Sequence, residues 1–312
     1  MNFQLWEPKS QPDILGGEAS FGNIEWDYPT FIESIYEPLR KKYPDYIKRQ
    51  SIGFDTSGEY EMWAYEFTPK NYKKTVYLQS GVHVIETDSY FGLARLLTII
   101  ANREDKRLEY IRDNIRLLVV PVVSVWGISK RGKYEEIMDS ERWRFPHNAA
   151  RVNANRDFAD RKAMETTNII NYISKYAKDI CFAMDCHSTT DVVLGAYLLP
   201  YANGMPDELA EKLKAINNAL YEKHPTNYPK AFMGKEKNYP VPNLVNTYNG
   251  GIYEKFGILG ITPEHNDYIY DDKLGTSLTI TLAVELIGNH LLQVSEDEAF
   301  SLEYKKDTQP AK

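Results

Sequence analysis

The segment Ile115 to Val123 (IRLLVVPVV) constrains this chain more than any other stretch. It is apolar at nearly every position, with none of the alternation of a strand wetted on one face, so it reads as a central strand covered on both sides. Around it, strand-like and helix-like segments alternate. Residues 28–44 place Phe31, Ile35 and Leu39 at helical spacing, and Pro44 stops the pattern. Ile47 to Gly53 and Glu59 to Phe67 read as strands joined by Thr56-Ser57-Gly58, and Thr75 to Val82 as a third. Helices are expected over 89–102, 105–113, 160–177, 206–222 and 275–293. Strands are expected over Asp179 to Asp185, Val192 to Leu199 and Ile258 to Thr262. Such alternation implies one α/β domain: a mixed, mostly buried central sheet with helices on both faces. The domain is expected over 28–294, after an N-terminal extension (1–27) and before a polar tail (295–312).

Composition bounds the chemistry. There are 37 Lys+Arg against 44 Asp+Glu, a net charge of -7, so nothing draws the surface as a whole to a phosphate backbone, and no nucleic-acid partner is expected. Two cysteines cannot build a disulfide framework or a four-cysteine zinc site, so a metal would have to be held by the six histidines and by carboxylates. The N-terminus lacks a basic start followed by an apolar core, and the apolar runs are too short to cross a bilayer. The expectation is a soluble chain, cytoplasmic or released without a Sec signal, with no membrane partner.

Strand ends at Val82, Val123, Asp185 and Thr262 each lead into polar clusters, and in open α/β sheets ligands bind at the carboxyl ends of strands. His83 and Glu86 form H-x-x-E directly after the third strand, a spacing that brings an imidazole and a carboxylate to one side. His187 follows the buried strand CFAMDC. Two histidines and one glutamate around an open position form a catalytic zinc pattern, but each also fits a polar residue hydrogen-bonded at a strand end.

Further segments add to this. Arg144 lies in ERWRF, Asn155 and Arg156 in RVNANRDF, and Glu264 in ITPEHND. With KKYPDYI, SIGFDTSGEYEMWAYEF, GVHVIE, VVPVVSVWG and DCHS in this order, the chain resembles the zinc carboxypeptidases (M14 metallopeptidases) from about residue 28 to 293. The resemblance implies that His83, Glu86 and His187 bind one zinc ion. It implies that Glu264 is the general base and that Arg144 stabilises the oxyanion. Asn155 and Arg156 would hold the terminal carboxylate of a peptide or peptide-like substrate, and Tyr248 would be the family's mobile tyrosine covering it. Ile252, Tyr253 and Glu254 would face the pocket for the last substrate residue, in a register left open.

The implied activity is a metallocarboxypeptidase. The alternatives are an amidohydrolase acting on peptidoglycan stem peptides or acyl-amino acids, and an inactive zinc-binding or structural module. Several positions depart from the family pattern. Ile85 replaces an arginine found in some members, Asn153 stands where the family has an aspartate supporting the first zinc histidine, and SVWG replaces Asn-Pro-Asp-Gly. Tyr248 is two residues out of step with the glycine pair Gly250-Gly251. His265 and Asp267, beside Glu264, either tune the base or are plain loop residues.

Overall fold

The computed structural model describes residues 27–84, 86–130, 148–187, 197–200, 246–258 and 260–264. The expected helices over 206–222 and 275–293, and the start of the expected strand at Val192, lie outside the described residues.

Among these residues the sheet has seven strands: β1 (Ile47–Phe54), β2 (Glu61–Phe67), β3 (Lys74–Ser80), β4 (Ile115–Val120), β5 (Ile180–Cys186), β6 (Tyr197–Pro200) and β7 (Gly260–Glu264). Their order is β1-β2-β4-β3-β5-β7-β6. The inner strands β4, β3, β5 and β7 run parallel, while β1, β2 and β6 are joined by antiparallel pairings, so the sheet is mixed. All six residues of β4 are buried, as its unbroken apolarity required.

The register shows how each face is covered. Tyr65 lies opposite Val119, which lies opposite Leu78, so the three share a face. There the Tyr65 ring sits 4.9 Å from Tyr36, on the N-terminal helix that runs through Tyr28–Phe31, Ile32–Tyr36 and Glu37–Lys42. The next row, Glu66, Leu118 and Tyr77, faces the other way. On that side Tyr176 donates to Glu66 at 2.8 Å, and Tyr77 meets Tyr172 at 6.5 Å. Both partners belong to the Met164–Tyr176 helix. Helices therefore cover both faces.

The N-terminal helix passes through a π-helical turn at Ile32–Tyr36 just before Pro38. Proline has no N–H for the ordinary bond four residues back, and the widened turn absorbs that mismatch. No helix among the described residues is long and apolar enough to cross a membrane.

Candidate metal centre

β3 and β5 are parallel neighbours, with Ser80 opposite Cys186, so their carboxyl ends open at the same edge of the sheet. After β3 the chain turns through Gly81 at φ 63, a left-handed conformation that favours glycine. A Cβ there would also meet Val122 at 3.2 Å. The turn is pinned to the segment after β4. Val123 N donates to Ser80 O at 3.0 Å, Ser124 N to Gly81 O at 2.9 Å, and Ser124 Oγ to Val82 O at 2.5 Å. His83 and Glu86 follow on this fixed base.

Glu86 occupies the N-cap position of the Thr87–Asn102 helix, yet its side chain makes no capping bond. The carboxylate turns to the histidines instead: Oε1 lies 2.5 Å from His83 Nδ1, and Oε2 lies 2.9 Å from His187 Nδ1. The two imidazoles meet edge to face at 4.8 Å. One ligand atom from each of His83, Glu86 and His187 lies within 4.8 Å of the others. His83 is half-buried, while His187 has no exposed surface.

The three side chains and Asp185 act on one another electrostatically. Burial pushes the Glu86 carboxyl up, but the two imidazoles outweigh it and hold the group below the usual carboxylate range. Burial pushes His187 down, yet Asp185 and Glu86 outweigh it and raise the imidazole well above its ordinary value. His187 Nδ1 is buried and makes no hydrogen bond of acceptable geometry, despite its closeness to Glu86. A buried imidazole nitrogen without a bond, beside a carboxylate and a second imidazole, is a donor set that fits Zn²⁺.

Other expected site residues fall in different places. β7 is parallel to β5, with Ile261 opposite Met184. Carried forward, that register brings the backbone of Glu264, the last residue of β7, level with His187. Asn155 and Arg156 lie on a single 3-10 turn, Ala154–Arg156. Asn155 Oδ1 accepts from Tyr248 N at 3.2 Å, and the exposed Arg156 donates through Nη1 to Asn155 O at 2.6 Å. Asn153 is exposed, and its Oδ1 accepts from Asn155 N at 2.9 Å. Buried Asp157 secures this loop by accepting from Lys162 N and Ala163 N at 2.8 and 2.9 Å. Arg144, His265 and Asp267 lie outside the described residues.

One expectation needs correction. Tyr248 is a core residue, not a mobile cover. Thr247 caps a helix over Tyr248–Phe256, which buries the ring against Phe158 at 5.9 Å and sets its hydroxyl 3.3 Å from Thr166 Oγ1. The glycine pair lies inside that helix, and of the three residues after it Ile252 joins the core while Tyr253 and Glu254 keep exposed surface. SVWG, in place of Asn-Pro-Asp-Gly, leads into the helix Val125–Lys130.

Sequence reasoning missed Asp185. Its Oδ2 accepts from His187 Nε2 at 2.9 Å, and its Oδ1 accepts from Gln79 Nε2 at 3.0 Å. The available signal was D-x-H at a strand end, since residues two apart share a face.

Comparison with known proteins fits this geometry. Residues 32–298 match the zinc carboxypeptidase family, to which this chain therefore belongs. No curated protein sequence matches it. Among solved structures, it is similar to a metallo-carboxypeptidase from Burkholderia cenocepacia, with a TM-score of 0.63 at 16% identity, covering 86% of this chain and 70% of that one. Bovine thrombin-activatable fibrinolysis inhibitor, solved with tick carboxypeptidase inhibitor, gives a TM-score of 0.63 at 17% identity, with 86% and 98% covered. A Pseudomonas aeruginosa metallo-carboxypeptidase, solved with (2-guanidinoethylmercapto)succinic acid, gives 0.58 at 12%, with 84% and 69% covered. The fold is that of the carboxypeptidases, and the family is a zinc family.

Proposed function

We propose that this chain is a zinc-dependent carboxypeptidase that hydrolyses the amide bond next to a free terminal carboxylate. The observation that carries the reading is the His83–Glu86–His187 cluster at the carboxyl edge of the sheet. These three side chains would hold the metal. Bound there, zinc supplies Lewis acidity, which polarises a carbonyl and acidifies water.

The remaining roles belong to the chain's own residues. Glu264 takes a proton from the attacking water and delivers it to the leaving amine. Arg144 stabilises the developing oxyanion. Asn155 and Arg156 hold the substrate's carboxylate, with Asn155 already braced against the Tyr248 backbone and Arg156 exposed to receive an anion. The Pseudomonas aeruginosa enzyme was solved with a succinic acid derivative, itself a carboxylate compound, which supports this reading. Tyr248 has no part in the mechanism.

The test combines metal analysis with hydrolysis of paired peptides, one with a free and one with an amidated C-terminus. About one zinc per chain is expected, with cleavage only of the free form. Glu264→Gln should keep zinc and lose about 10²–10⁴-fold in kcat. His187→Ala should lose the zinc. Equal cleavage of amidated peptides would remove the carboxylate role and favour an amidohydrolase. Full zinc with no hydrolysis of any amide would favour the binding module.

A further inference from the structure

His187 ends a buried line of polar side chains that crosses two strands. Tyr77 donates its hydroxyl hydrogen to Gln79 Oε1 at 2.6 Å. Gln79 Nε2 donates to Asp185 Oδ1 at 3.0 Å, and Asp185 Oδ2 accepts from His187 Nε2 at 2.9 Å. Every member is at most 1% exposed. The arrangement follows from topology: Gln79 and Asp185 are direct partners in the parallel β3–β5 pair, while Tyr77 and His187 lie two residues away on the same face.

Each bond dictates the next. An amide whose oxygen is held by a hydroxyl presents its NH₂ to the carboxylate. A carboxylate held at Oδ1 presents Oδ2 to the ring. A ring that donates from Nε2 leaves Nδ1, the atom facing Glu86, without its proton in the neutral form.

We propose that Asp185 is the positioning residue of the metal centre, fixing the tautomer and orientation of His187 so that Nδ1 is the ligating atom, with Gln79 and Tyr77 holding Asp185 in place. A buried carboxylate hydrogen-bonded to a ligating imidazole orients it and makes it a stronger donor. Asn153, where the family has an aspartate, is neutral and accepts from Asn155 N at 2.9 Å. This inference rests on the reading of His187 as a zinc ligand.

The test measures zinc affinity of the full chain by chelator competition, alongside ¹⁵N NMR of the His187 imidazole in the wild-type protein. Zinc-loaded wild type should carry its proton on Nε2. Asp185→Ala should weaken zinc binding on the order of 10–100-fold. Asp185→Asn, whose amide oxygen still accepts from Nε2, should weaken it less. Gln79→Leu should shift affinity in the same direction. KM for a cleaved peptide at saturating zinc should not change. Unaltered zinc affinity in folded Asp185→Ala overturns the inference while leaving the ligand set standing. A wild-type His187 protonated at Nδ1 in the zinc form overturns it even if every variant fails to fold. Wild type that takes up no zinc overturns the ligand reading and this inference together.

Discussion

Glu37 illustrates what single residues contribute away from the metal centre. It is 3% exposed and accepts from Arg40 Nη2 at 2.7 Å and from Tyr65 Oη at 2.8 Å, with Arg49 Nη1 3.1 Å away. Burial pushes its carboxyl up, but Arg40, Tyr65 and Arg49 outweigh it and bring the group below its ordinary value. A depressed carboxyl stabilises the fold above its unfolded pKa of about 4.3, and that contribution disappears as pH falls through the folded value. Glu37→Gln is expected to lose about 1–2 kcal/mol at pH 7, a figure reduced because both arginines are partly solvated. Urea titrations of both proteins across pH 3–7 check this, and the gap between them should close below about pH 4. At the same scale, the residue types at the candidate centre were legible, because His83, Glu86 and His187 stand at strand ends in the primary structure. Asp185 was equally visible there, but its role depends on Gln79 from another strand. Tyr248 shows the opposite error: a tyrosine near two glycines suggested a cover, and packing against Phe158 assigned it to the core.

At the scale of elements, sequence periodicity located the central strands and the Thr87–Asn102 and Met164–Tyr176 helices within a few residues, since burial alone specifies those patterns. The Tyr248–Phe256 helix was not anticipated, because Gly250 and Gly251 weaken helix propensity by about 1 kcal/mol each relative to alanine. Tertiary packing explains one of them. A Cβ on Gly251 would stand 2.0 Å from Phe158 Cδ1, so the helix can approach that ring only where the side chain is absent. Gly251→Ala should therefore destabilise by about 1–3 kcal/mol, although alanine is the better helix former. Pairing it with Phe158→Leu should recover part of the loss. Thermal denaturation of the single and double variants checks the coupling, and additive losses would argue against the contact.

For the whole molecule, the centre is assembled from strands far apart in the chain, so occupancy should couple to global stability. Zinc that binds only the folded state stabilises it by about 4 kcal/mol when present at a thousand times its Kd. Chelation is expected to lower the melting temperature of the wild type and to leave that of His187→Ala unchanged, as calorimetry with and without chelator would show. Parallel pairing of β3, β5 and β7 brings the backbones of the candidate ligands and of Glu264 to one edge. The sequence by itself determined the α/β class, the buried central strand and the candidate ligand types, because hydrophobic period and side-chain chemistry are local properties. Only the tertiary structure decided which nitrogen of His187 faces Glu86, what holds Asp185, and that Tyr248 is core. Those outcomes depend on register between non-adjacent strands and on side-chain packing, which no local pattern encodes.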